Sequence, residues 1–148
     1  CRLSVVDGAV GGWGEDDTVE LVRQLQTVGV DVIDCSSGGL TEQTKALPVP
    51  RGLGFQVPFA KKVKAETGVT TQAVGMIVDA HQAEEILASG SADLIAIGRE
   101  ALFDPYWPLH AQWALDKDPH FTDWHLRYKV WLEKRQVFLD RYLGQPSS

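Results

Sequence analysis

One arrangement recurs in this chain and limits its fold more than any other feature. A helix-ending glycine is followed by a short connector, an aspartate and an apolar strand, once from Gly29 to Asp34 and again from Gly90 to Ala96. The second copy is the more informative. Leu94 to Ile97 is an unbroken apolar run, as expected of a parallel strand covered on both faces. Gly98 and Arg99 follow at its carboxyl end and open the next helix. Free N–H groups at a helix start, a glycine that lets a ligand approach the backbone, and an arginine together suit an anion, most naturally phosphate. The alternative is a tight strand–helix turn followed by a solvated arginine.

The rest of the chain repeats the alternation. Arg2 to Val6 reads as a first strand, and the glycine-rich segment Gly8 to Gly14 follows it. Asp16 or Asp17 can cap a helix that carries Thr18, Leu21, Val22, Leu25 and Val28 at helical spacing and stops at Gly29. Val30 to Cys35 is the second strand. A long irregular segment, Ser36 to Val57, includes Ser36, Ser37, Gly38, Gly39, Pro48, Pro50, Gly52 and Gly54. Compact domains keep such loops mainly to build a site or a lid. Pro58 starts a helix with Phe59 and Val63 inward, and Gly68 ends it. Val69 to Val74 is the third strand, with a turn at Gly75. Asp79 and Gln82 form a capping-box pattern for a helix over Ala80 to Ser89.

Strand–loop–helix units in series mean a parallel sheet with right-handed crossovers. The fold class is therefore α/β: a small doubly wound domain, or half of a (β/α)8 barrel, which needs ~250 residues when complete. The chain has 148 residues and opens on Cys1, directly before the first strand. That start favours the half barrel, and a fragment, a nicked product or one piece of a split protein is expected. Half a barrel exposes strand edges and an apolar interior, so a second chain is expected to complete it.

Ligands of barrels sit at the carboxyl ends of the strands, with phosphate commonly on the loops after strands 7 and 8. If these are strands 5 to 8, those loops are Ala73-Val74-Gly75-Met76 and Gly98-Arg99. Two glycine turns on adjacent strands are more specific than either alone. Arg2 would lie on strand 5, pointing either into the barrel or toward its top; if buried it needs an anionic partner, either a ligand or a barrel carboxylate such as Asp34.

Other chemistry finds little support. The net charge of -6 disfavours a general nucleic-acid binder. No apolar run approaches the roughly 18 residues of a membrane span. Cys1 and Cys35 lack metal or redox spacing, so a reducing, cytoplasmic setting is expected. His81, His110, His120 and His125 fall on helices or connectors away from strand ends, and no metal site is expected. Ser36 and Ser37 lack a nucleophile elbow and read as loop hydrogen bonders.

After Arg99 the chain turns aromatic. Phe103, Tyr106, Trp107 and Trp113 lie on a helix broken near Asp104-Pro105 and Pro108. A tail from Phe121 to Leu143 carries Trp124, Tyr128, Trp131, Leu132, Phe138 and Tyr142 in near-helical register. Such a stripe is expected to pack on its own domain or on a neighbouring subunit. Residues 1–116 are assigned to the half barrel and 117–148 to this tail.

Several segments, taken together, resemble the second half of the Old Yellow Enzyme family. They are Arg2-Leu3-Ser4, Asp31 to Gly38, Gly54 to Ala60, Ala73 to Ile77 and Ala92 to Glu100. They are similar to its bacterial, xenobiotic-reductase-like class and run in family order over about residues 1–116. The resemblance implies an FMN-dependent ene-reductase: NAD(P)H reduces the flavin, and an activated alkene, such as an α,β-unsaturated carbonyl, takes the hydride. It implies cofactor-binding roles for Arg2 at the flavin N1/O2 edge, for Ala73, Val74 and Gly75 beside the flavin and its phosphate, and for Gly98 and Arg99 at the phosphate. Trp131 is implied as a substrate-pocket residue reaching a neighbouring subunit, with Arg135 a weaker candidate for a cationic finger. Val74 stands where some relatives have tryptophan.

The family's substrate-anchoring and proton-donating residues belong to its first half, so no catalytic residue is expected in this chain. The expected partners are a chain carrying strands 1 to 4, an alkene substrate, and further copies of the completed unit in a homo-oligomer. The alternatives are another phosphate-binding barrel enzyme, or a non-catalytic half-barrel interaction fragment.

Overall fold

The computed structural model describes residues 1–9, 11–38 and 51–144. The parts of the expected loops that hold Val10, Gly39, Pro48 and Pro50 lie outside the described residues.

Four parallel strands form one sheet in the order β1-β2-β3-β4: β1 (Arg2–Ser4), β2 (Val32–Ser36), β3 (Thr70–Ala73) and β4 (Leu94–Ile95). Helices alternate with them: α1 (Glu15–Thr27), α2 (Val57–Thr67) and α3 (Ala80–Ala88). After β4 come α4 (Arg99–Phe103), α5 (Trp107–Ala114) and α6 (Leu126–Leu143). Spatial order follows chain order without reversal. A doubly wound domain reverses its strand order at a switch point, whereas an arc of a barrel does not. The sheet is part of a (β/α)8 barrel.

The helix boundaries follow local chemistry. Pro58 lies in the first turn of α2, where its missing N–H goes unnoticed, and Gly68 ends that helix at φ 69°. Asp79 caps α3, its carboxylate accepting the Gln82 N–H at 3.0 Å. The cap of α1 differs from expectation. Gly14 is the N-cap, and Asp17 reaches back to accept the Gly14 N–H at 2.9 Å. A carboxylate in the first turn can do this as well as one at the cap, which the pattern alone does not distinguish.

Strand alternation divides the sheet into two unlike faces. Val5, Ile33, Cys35 and Ala73 point toward the helices and join Val22, Phe59, Ala60, Val63, Ile77, Ala83 and Ile86 in one core. Val28, placed on the inward stripe of α1 by its spacing, is 76% exposed, because it lies past the last turn as the C-cap. On the other face Arg2, Asp34, Gln72 and Leu94 stand side by side in register. That face carries mainly polar side chains, which corrects the expectation of an apolar interior. The polar residues alternate with the core residues along β1, β2 and β3, and a spacing of two separates the faces.

The fourth strand is also shorter than its apolar run. Only Leu94 and Ile95 pair with β3, and Leu94 is 42% exposed. β4 lies at the edge of the sheet with one paired neighbour, and the exposure of Leu94 shows that its face lacks the expected cover among the described residues.

The aromatic segment behaves differently again. Tyr106 stacks on Trp124 at 5.4 Å and Trp113 on Phe121 at 6.3 Å, so contacts cross the 116/117 boundary. Beyond them α6 contains no buried residue. Leu126, Val130, Trp131, Val137, Phe138, Tyr142 and Leu143 are exposed among the described residues, while Tyr128 packs edge-on against Tyr106 at 6.3 Å.

Candidate functional site

A cavity of about 380 Å³ opens where β3 and β4 end. Both glycine corners line it. Val74, Gly75 and Met76 leave β3, while Ala96, Ile97, Gly98 and Arg99 leave β4. Arg2, from β1, lines the same cavity. The chain thus brings together five of the six residues expected to hold a cofactor: Arg2, Val74, Gly75, Gly98 and Arg99. The sixth, Ala73, is buried beneath them in β3, and its carbonyl accepts the Ala96 N–H at 2.8 Å. It ties the two corners together from below, without lining the cavity.

The corner after β3 is tightly built. Gly75 has φ 111°, and a Cβ there would lie 2.8 Å from Gln56 Oε1 and 3.1 Å from Phe55 Cε1. Only glycine fits without displacing something. The next residue, Met76, adopts φ 52°. Its carbonyl accepts the Gly54 N–H at 3.2 Å and the Gln82 amide at 3.1 Å. Trp107 donates its indole N–H to the Val78 carbonyl at 3.0 Å, fixing the far end of the turn.

The corner after β4 is open. Gly98 is the N-cap of α4 at φ -110°, and no described residue lies within 4 Å of where a Cβ would sit. Arg99 is exposed beside it, and Glu100 also lines the cavity. The fastening lies at the strand's other end. Asp93 accepts the Thr71 N–H at 2.9 Å and the Lys64 ammonium at 2.7 Å, and those bonds hold its carboxyl below the usual range.

Arg2 pairs with Asp34, Nε to Oδ2, at 3.6 Å. Its side chain is 59% exposed against 16% for Asp34, so among the described residues Arg2 is not enclosed. Arg2 sits on an outer strand whose polar face is open in this chain, and solvent supplies much of its stabilisation. The second carboxylate oxygen of Asp34, Oδ1, is buried without a hydrogen-bond partner among the described residues. Both expected roles are therefore compatible: a carboxylate neighbour on β2, and a cation facing the cavity.

Other candidates fall away from the cavity. Burial, followed by the charge of Asp34, pushes the Cys35 thiol up to about 12, which keeps it protonated and poorly nucleophilic. Among the described residues no cluster of His, Cys, Asp and Glu could hold a metal ion. His110 pairs with Asp104 at 2.5 Å on the α4–α5 side. The Ser37 hydroxyl accepts from the Gln56 amide at 2.7 Å as a loop hydrogen bonder does, whereas Ser36, expected in the loop, is the last residue of β2 and donates across to the Leu3 carbonyl of β1 at 3.3 Å. Trp131 is 67% exposed on α6, against Lys134, and does not line this cavity. Arg135 faces a separate recess with Trp113, Phe121 and Trp124.

Phe55, Gln56, Ile77 and Glu100 line the cavity without having been assigned a role from sequence. Gln56 had a detectable signal: it is a lone amide between Phe55 and Val57, ahead of a proline-started helix. Phe55, Ile77 and Glu100 lie within the segments that carry the family resemblance, but no local spacing marks them as cavity residues.

The cavity can be set beside known proteins. Residues 1–118 match the model of a family described as NADH:flavin oxidoreductase / NADH oxidase. An NADPH dehydrogenase of Halalkalibacterium halodurans is 42% identical over 110 residues, covering 74% of this chain and 31% of that protein. Those of Geobacillus thermodenitrificans and Listeria innocua are each 41% identical, over 111 and 110 residues, with the same coverage. The chain spans about 31% of the length of these curated relatives. No helix among the described residues is long and apolar enough to cross a membrane.

Proposed function

The chain belongs to the NADH:flavin oxidoreductase / NADH oxidase family, and from that membership we propose that it supplies strands 5 to 8 of an FMN-dependent ene-reductase barrel. The observation that carries this is the convergence of Arg2, the Gly75 turn and the Gly98-Arg99 corner on one cavity at the carboxyl ends of the strands. Phosphate sites of barrels lie at that end. The open cradle at Gly98, with no described residue within 4 Å of a Cβ position, leaves room for a group to approach the backbone. These residues fit a ligand with a phosphate at one end.

In this reading Gly98 and Arg99 hold the phosphate, Arg99 by charge-assisted hydrogen bonds and Gly98 by allowing close approach. Gly75 and Val74 shape the adjoining wall. Arg2 sets a positive charge on the side of the cavity nearest β1, where it favours an electron-rich ring edge. FMN, when bound, supplies hydride exchange between NAD(P)H and the alkene of an α,β-unsaturated carbonyl. The chain's own part is to bind, orient and polarise; substrate anchoring and proton donation fall to strands 1 to 4, supplied by a partner chain. Trp131, exposed on α6, would serve a neighbouring copy's pocket within a homo-oligomer, in a cytoplasmic setting.

The visible spectrum of the protein purified with its barrel partner tests the proposal. A flavin spectrum that bleaches anaerobically with NAD(P)H and returns on adding an enone is expected. A colourless complex would favour a different phosphate-binding barrel. The tail has its own test: Trp131→Ala should change KM for the enone more than about twofold while altering stability by less than about 0.5 kcal/mol. A large fall in Tm with unchanged kinetics would assign Trp131 to packing.

A further inference from the structure

We propose that Gln56 is a positioning residue for the flavin phosphate, acting through the Gly75 turn, and that Ser37 locks it in place. This rests on the cofactor reading above and adds a residue to it. Gln56 is 5% exposed and stands at the N-cap of α2, yet its side chain makes no capping bond. Its amide turns away from the helix and donates twice to Ser37, to the carbonyl at 3.0 Å and to the hydroxyl at 2.7 Å. A buried amide satisfied by both groups of one residue has little freedom to rotate.

The other side of the carboxamide is what matters to the site. Oε1 and Cγ of Gln56 lie 2.8 Å and 3.1 Å from the place a Cβ of Gly75 would occupy. The turn therefore rests on Gln56 with no side chain between them. Its own sequence does not favour its shape, since Met76 at φ 52° is a non-glycine residue in the left-handed region. Such conformations persist where surrounding groups over-determine them. Here the surrounding groups are Gln56 behind Gly75, and the Gly54 N–H and the Gln82 amide on the Met76 carbonyl. A wall that borders a dianion, as the Gly75 turn does beside the Gly98-Arg99 corner in that reading, favours binding when it is held in shape beforehand. Ser37 follows β2, so the path Ser37–Gln56–Gly75 links the end of β2 to the corner after β3.

The test compares FMN with riboflavin, which lacks the phosphate, by fluorescence titration of the complete flavin-binding assembly. Gln56→Leu keeps a similar volume and removes both donors. It should raise the Kd for FMN about tenfold and that for riboflavin less than about twofold. Ser37→Ala keeps the carbonyl acceptor and should raise the FMN Kd about threefold, again selectively. The double variant should match Gln56→Leu alone, because both residues act along one path. If Gln56→Leu does not fold, Ser37→Ala carries the test by the same selectivity. Equal weakening of FMN and riboflavin would make Gln56 a general structural residue and overturn the proposal. So would unchanged FMN affinity while Arg99→Ala loses it, an outcome that leaves the cofactor reading standing. A wild-type assembly that binds FMN no better than riboflavin would instead remove the cofactor reading, and this inference with it.

Discussion

The corners at Gly75 and Gly98 look alike in sequence and differ in what demands the glycine. At Gly75 the demand comes from the protein, through φ 111° and a neighbouring side-chain atom 2.8 Å from a Cβ position. At Gly98 φ is -110°, outside the left-handed region, and no described residue beyond its chain neighbours lies within 4 Å of a Cβ. No side-chain contact within the described chain requires glycine there. A glycine explained by its own packing reports on the fold, whereas one left unexplained by it points outward, to a ligand. In the proposed reading that ligand is the phosphate of FMN.

The contrast can be broken at each corner in turn. The largest effect is expected at Gly75→Ala, where backbone strain adds to overpacking against Gln56 and Phe55. A loss of about 2–4 kcal/mol of stability should appear in urea denaturation. A stable Gly75→Ala protein would mean that the turn relaxes freely and that the contrast is false. Arg99→Ala should leave stability unchanged and weaken FMN by ~1.5–3 kcal/mol, measured by flavin fluorescence. Retained affinity would free Arg99 of any phosphate role. Gly98→Ala should be neutral in denaturation, within about 0.5 kcal/mol, and should weaken FMN by up to about tenfold, or 1.4 kcal/mol. Loss of stability there, with FMN binding intact, would reverse the assignment of the two glycines.

The smallest effect concerns the fastening of the open corner. The Lys64 ammonium and the Thr71 N–H hold the Asp93 carboxyl below its ordinary value of 3.8. Its contribution is therefore complete above that value and is lost as pH falls through the lower folded one. Asp93→Asn should cost at most about 1 kcal/mol near neutrality, since the pair is partly exposed. The difference from wild type should shrink in acid, below about pH 4. A difference that grows in acid would contradict the ion pair.

The residues legible in advance were those with a local cause. Gly68, Pro58, Asp79 and Gln82 mark helix ends through backbone geometry and capping, which need no knowledge of the rest of the chain. The two glycine corners were legible because strand, glycine and helix fall in sequence. The contacts of Gln56 are not legible, because its partners Ser37 and Gly75 are each 19 residues away, and only the parallel pairing of β2 with β3 brings them together. Leu94 and much of α6 share one limit of the sequence. Apolar spacing states that a face seeks cover without stating what covers it, and the described part of this chain leaves Leu94 and most apolar residues of α6 exposed.

The most direct measurement is a crystal structure of the complete assembly loaded with FMN. The account predicts phosphate oxygens at about 2.7–3.1 Å from the main-chain N–H at the Gly98 corner and from the Arg99 guanidinium, with the Gly75 turn alongside. A phosphate bound at any other pair of strand ends, leaving Gly98 and Arg99 without contact to it, would contradict it.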